Sequence, residues 1–208
     1  SWPHDMKDKH GQNDIDVGLL VRNGDPNRPD ALNKDIKQIH HYRSTIYALA
    51  RLKGLSVARF ARFWKLCQMV IDRGLDSVFA IGRALDALRP GHRIEERLRH
   101  PSAMQDHVVR FVRYHPGLPA GSSIADDHPD RNAITFHWKD SKPGLHVYEG
   151  GQRVLVDTTP SKVIVFPGAQ LQKVGYPVPP LIHGATERGT DDTQRITLVT
   201  FYRFLLED

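Results

Sequence analysis

The pattern of apolar and polar positions changes character twice along this chain. Residues 1 to about 30 are rich in Asp, Asn, Gly, Lys and Pro around one apolar patch, "IDVGLLV", and read as a loose or edge-packed segment. From Asp30 to about Leu88 the pattern is helical. In "SVARFARFWKLCQMVIDRG" apolar residues recur at Val57, Phe60, Trp64, Cys67, Val70 and Ile71, the spacing of one helix face. Ser56 is placed to cap that helix and Gly74 to end it, and a second helix is predicted from Asp76 to the stop at Pro90-Gly91. From about Gln105 the apolar period shortens. "DHVVRFVRYH", "AITFHWK", "LHVYE", "QRVLVDT", "VIVF", "PLIHGAT" and "QRITLVTFYRF" are strand-like runs separated by Gly- and Pro-bearing breaks, and Gly150-Gly151 is a two-residue hairpin signal. Runs this short predict an all-β sandwich or barrel of the jelly-roll type. The expected fold class is α+β: a jelly-roll (double-stranded β-helix) core over 105–208, with an N-terminal extension and helical support region over 1–104.

Composition adds exclusions. A chain of 208 residues, 39% hydrophobic and 25% charged, has enough apolar material for a core of its own. One cysteine, Cys67, leaves no internal disulfide framework and no Cys-rich zinc site, and its place in the apolar stripe makes it a buried hydrophobe. There is no apolar run of membrane-spanning length, and "SWPHDMKDKHGQND" lacks the apolar centre of a signal peptide, so a cytoplasmic protein is expected. His4 and His10 read as part of a solvated terminus. The net charge of +5 mixes 29 bases with 24 acids, which suits an anionic small molecule as well as nucleic acid. Arg59, Arg62 and Lys65 read as the solvated flank of the first helix.

The chemistry concentrates in "DDHPDRN". On an extended backbone residues two apart project to the same side, so His128 and Asp130 can converge on one ion. Two ligands hold a transition metal weakly, and the best third is His183 in "LIHGAT". Two histidines and one carboxylate form a facial triad that leaves positions open for O2 and a bidentate co-substrate on non-haem Fe(II). Twelve residues after His183, Arg195 and Thr197 again stand two apart, and a guanidinium with a hydroxyl is a common carboxylate grip. His115, His137 and His146 are strand histidines this arrangement does not need. His40-His41 lies on the helical stretch with no partner at ligand spacing.

From about Val108 to Phe204 the chain resembles the Fe(II)/2-oxoglutarate-dependent oxygenases, in their isopenicillin N synthase-like branch. The resemblance lies in ordered landmarks: "RYHP", "HPD", "DSKPGLHV", "VIVFPGAQLQ", "IHGA" and "RIT" followed by "FY". It implies His128, Asp130 and His183 as iron ligands, Arg195 and Thr197 on the distal carboxylate of 2-oxoglutarate, and Tyr114 as a further candidate for that pocket. The implied cofactors are Fe(II), 2-oxoglutarate as co-substrate, and O2. The implied reaction couples decarboxylation of 2-oxoglutarate, giving succinate and CO2, to hydroxylation, desaturation or cyclisation of a small organic substrate. Thr197 stands where serine is usual, His146 where glutamine is usual, and "NDIDVGLL" only faintly echoes the branch's opening strand. Two other readings stay open: a metal-binding jelly roll without 2-oxoglutarate turnover, and a nucleic-acid-modifying oxygenase. Arg203, eight residues past Arg195 rather than six, counts against the second.

Overall fold

The strand-like runs assemble as two facing antiparallel sheets in a computed structural model, which describes residues 21–23, 37–43, 61–114, 119–158, 162–187 and 193–204, with only the backbone described before residue 62. The larger sheet has the order β1-β2-β3-β10-β5-β8 and the smaller β4-β9-β6-β7. The larger sheet comprises β1 (Val21–Asn23), β2 (Lys37–Arg43), β3 (Val108–Tyr114), β5 (Ile134–Asp140), β8 (Ile164–Pro167) and β10 (Arg195–Tyr202). The smaller comprises β4 (Ser123–Pro129), β6 (Leu145–Glu149), β7 (Gln152–Leu155) and β9 (Ile182–Thr186). From β3 onward, successive strands alternate between the sheets, except at the β6–β7 hairpin, in the jelly-roll pattern expected from the sequence. The Gly150-Gly151 hairpin is present, with φ of 55° and 79° at the two glycines, the conformation a tight two-residue β-turn demands.

Helix α1 (Ala61–Leu88) packs on the outer face of the larger sheet, burying Trp64, Cys67, Ile71 and Val78 against Val109, Ile134, Phe136 and Tyr202. Two short helices, α2 (Ile94–Arg99) and α3 (Pro101–Gln105), lead into β3. Asp86 near the end of α1 accepts from the backbone N–H groups of Ile94 and Glu95, at 2.7 and 2.9 Å, and so caps α2 across the turn. Cys67 is fully buried, and burial pushes its thiol up to about 12. Arg62 and Lys65 are exposed.

Three expectations need correction. The helix does not end at Gly74: α1 runs on, because the apolar stripe stays in phase through 64, 67, 71, 74 and 78. Gly74 marks a close approach instead. A Cβ there would lie 1.8 Å from Tyr202 Oη, which donates to the Ile71 carbonyl at 2.9 Å. Second, the helical reading of 30–88 fails over Lys37–Arg43, His40-His41 included. That segment is β2, paired along all seven residues with β3, where an open sheet edge offers backbone partners that local propensity does not anticipate. Third, β4 has no place in the strand reading. Its exposed, acidic sequence "SIADDHP" carries no alternation, and pairing with β9 makes it a strand. Ser56, Val57, Phe60, Arg59, His4, His10 and His115 lie outside the described residues.

Candidate metal centre

Between the sheets lies a cavity whose walls come from both. Strand alternation decides which side chains enter it. On β10, Arg195, Thr197, Val199 and Phe201 face the cavity, while Leu198 and Tyr202 face α1. On β3 the same rule turns Arg110, Val112 and Tyr114 inward.

At one end the cavity holds His128, Asp130 and His183, one ligand atom from each lying within 4.8 Å of the others. His128 and His183 face each other in the β4–β9 ladder, and Asp130 follows β4 directly. Each histidine has its Nδ1 against a backbone carbonyl, Asp126 O at 2.5 Å and Leu181 O at 3.2 Å. Donation to those carbonyls places the proton on Nδ1 and leaves the Nε2 lone pairs for an ion. These Nε2 atoms lie 4.0 and 3.8 Å from the Asp130 carboxylate oxygens. Thr135 donates to Asp130 Oδ2 at 2.6 Å and itself accepts from Asn132, which fixes the carboxylate's rotation. Burial holds the His183 imidazolium pKa below its ordinary value against the pull of Asp130, and His128 pushes the same way as burial. A neutral imidazole is the ligating form. Two imidazole nitrogens and a carboxylate suit a divalent first-row metal.

The far end is a buried polar cluster. Arg195 contacts Asp140 at 2.8 Å through Nη2, and its guanidinium lies 4.9 Å from the centroid of the Tyr114 ring. Thr197 donates to Asp140, and His137 Nε2 is 3.0 Å from the same carboxylate. Burial pushes the Asp140 carboxyl up, but His137, Arg195 and Thr197 together outweigh it and hold it at about 2. Arg195 Nη1 is buried with no hydrogen-bond partner. A buried guanidinium nitrogen without an acceptor is costly, and an incoming carboxylate would satisfy it.

All six residues singled out in the sequence therefore line one cavity: His128, Asp130 and His183 at one end, Tyr114, Arg195 and Thr197 toward the other. Sequence reasoning missed His137 and Asp140. A bulge between β5 and β10, at Leu198 and Val199, breaks the alternation after Trp138, so that His137 and Asp140, three apart, face the same cluster.

No protein-family profile matches the sequence, and no curated protein matches it significantly. Solved structures do. A protein of Caulobacter crescentus assigned to the 2OG-Fe(II) oxygenase family superposes with a TM-score of 0.63 at 18% identity, over 98% of this chain and 69% of that one. The fold is that of the Fe(II)/2-oxoglutarate oxygenases. A full-length Neurospora crassa protein, solved in complex with alpha-ketoglutarate (2-oxoglutarate), shares this oxygenase fold at a TM-score of 0.59 and 16% identity, over 85% of this chain and 57% of that one. An oxygenase-assigned chain of Shewanella oneidensis gives 0.57 at 22% identity, with 82% of this chain and 63% of that one covered. The chain thus spans less than two thirds of several of the oxygenase-fold structures it matches. Among the described residues, no helix is long and apolar enough to cross a membrane.

Proposed function

We propose that this chain is an Fe(II)- and 2-oxoglutarate-dependent oxygenase acting on a small organic substrate. The observation that carries the reading is the pairing, in one cavity, of a His-Asp-His ligand set with a buried arginine whose Nη1 lacks an acceptor. When bound, iron and 2-oxoglutarate supply the oxidising chemistry: O2 is consumed, 2-oxoglutarate yields succinate and CO2, and a substrate C–H bond is hydroxylated, or a desaturated or cyclised product is formed.

The chain's own residues do the positioning. His128, Asp130 and His183 would hold the metal at the cavity wall. Arg195 and Thr197 receive the distal carboxylate, and Asp140 keeps both from turning away. Tyr114 supports the guanidinium face. Apolar walls from Val112, Leu145, Phe166 and Val199 exclude water, which strengthens each polar contact inside. The order of landmarks from "HPD" to "RIT" favours the isopenicillin N synthase-like branch.

The test is an anaerobic titration of Fe(II) into purified protein, with and without 2-oxoglutarate, read by the weak visible charge-transfer band of the chelated complex. The expected result is a band requiring both, abolished in His183→Ala. Iron binding without a band overturns the co-substrate and leaves a metal-binding jelly roll, while no metal binding overturns the centre itself.

A further inference from the structure

The three ligands are not equally supported. Asp130 is held by Thr135, and His183 is buried between Phe166 and its own strand. The Nδ1 of each histidine meets a carbonyl two residues back, but His128 has 45% of its side chain exposed against 10% for His183. Its strand is also irregular. The β4–β9 register shifts between Ser123 and Ala125, where two steps along β4 match one along β9, and again between Ala125 and His128, where three match two. A doubly bulged strand leaves the direction of its last side chains poorly determined by backbone pairing alone.

The neighbouring residue supplies what His128 lacks. Asp127 Oδ1 is 2.7 Å from His146 Nε2, and Asp127 Oδ2 accepts from Tyr148 Oη at 2.5 Å. Both partners are on β6, with β9 between them and β4, so the contact spans three strands of the smaller sheet. It passes directly over Gly184. A Cβ there would lie 2.4 Å from Asp127 Oδ1 and 2.9 Å from His146 Nε2. The "HG" after Ile182 thus places a metal ligand on one face of β9 and an opening for this contact beside it. His146 itself is 1% exposed, so the clamp has one rigid jaw.

We infer that the Asp127–His146–Tyr148 clamp is a positioning device for the metal centre: it fixes the bulged end of β4 and so aims His128 at the ion. The inference rests on the metal reading above. It gives a role to two residues that the ligand pattern leaves over, Asp127 and His146.

Co(II) serves as the probe, titrated into the full chain and followed by its d–d absorption, whose shape reports coordination geometry. Asp127→Ala is expected to lower Co(II) affinity by about 10- to 100-fold, as loss of supporting contacts around metal ligands generally does, and to alter the band. Gly184→Ala, whose Cβ would displace the Asp127 carboxylate and also press on the Ala125 carbonyl at 2.9 Å, should do the same. His146→Gln keeps a donor for Asp127 and should retain most of the affinity that His146→Ala loses, a rescue that a purely structural role would not show in the spectrum. If Asp127→Ala does not fold, Tyr148→Phe removes one hydroxyl and should give a smaller loss in the same direction. Affinity and band unchanged in the folded variants overturn the clamp while the metal centre stands. An unaltered chain that binds no Co(II) overturns both.

Discussion

His128 and His183 stand opposite each other across the β4–β9 ladder, their ring centroids 4.7 Å apart and their Nδ1 atoms both turned to backbone carbonyls. The opposition of these two histidines is therefore a property of strand register. A slip of one residue between β4 and β9 would send one imidazole to the outer face.

Thr135 is the side chain that orients the carboxylate of this centre. Thr135→Val keeps the shape and removes the 2.6 Å bond to Asp130, leaving the buried amide of Asn132 without its acceptor. The expected outcome is a roughly 10- to 100-fold loss of metal affinity. A stability loss of about 1–3 kcal/mol should accompany it. Isothermal titration with Co(II) and chemical denaturation of the metal-free protein measure the two separately.

Asp140 couples stability to the Arg195 end of the cavity. Its folded pKa of about 2 lies below the ordinary 3.8, so below pH 4 the unfolded chain takes up its proton first. The stability this carboxylate contributes is complete above pH 4 and is lost as pH falls toward 2, about 2 kcal/mol in all. Asp140→Asn should flatten that segment of the stability profile. It should also weaken 2-oxoglutarate binding, because Arg195 and Thr197 lose the group that holds them. Arg195→Ala leaves Asp140 buried without its guanidinium and should cost more, about 3–5 kcal/mol.

A second acid-sensitive group lies far from the site. His107 is fully buried against Tyr202, and its Nδ1 accepts from the backbone of Arg203 at 3.2 Å. Burial, with Arg203 adding to it, lowers its pKa from 6.5 to about 4. Because the folded value is the lower one, its contribution is present above pH 6.5 and is lost between 6.5 and 4, about 3 kcal/mol in all. A thermal melt series across that range should show Tm falling well before the carboxylates titrate. His107→Asn, which keeps an acceptor at the δ position, should remove most of that slope.

Gly74 and Tyr202 test the packing of α1 on the sheet. Gly74→Ala puts a methyl group where the tyrosine hydroxyl sits, and overpacking of this kind costs about 1–3 kcal/mol. Gly74→Ala combined with Tyr202→Phe should recover part of the loss, since Tyr202 Oη is the atom nearest the new methyl. Denaturant midpoints of the two single variants and the double variant give the coupling directly.

How much of this protein is legible in its residues follows from what each signal depends on. Alternation in "AITFHWK" and "QRITLVTFYRF" and the helical stripe from Trp64 to Ile71 are local consequences of one face meeting a core, and they marked the jelly-roll strands and the main helix. Spacing of two within "HPD" and "RIT" put each pair on one side of an extended chain, so the candidate ligand pair and the candidate carboxylate grip could be picked out before any fold. Longer-range facts were not. Strand β2 forms because an edge of β3 is open, and β4 because β9 is there to pair with it, neither of which its own sequence announces. Gly74 looks like a helix stop until Tyr202 arrives from the last strand to fill its notch. Asp140 joins His137 only because a bulge shifts the pleat by one, and Asp127 meets His146 only because Gly184 leaves the space. Local periodicity determined most of the elements and the candidate ligand types; backbone pairing and close approach between distant segments, which carry no local pattern, made β2 and β4 and decided the register that brings the rest together.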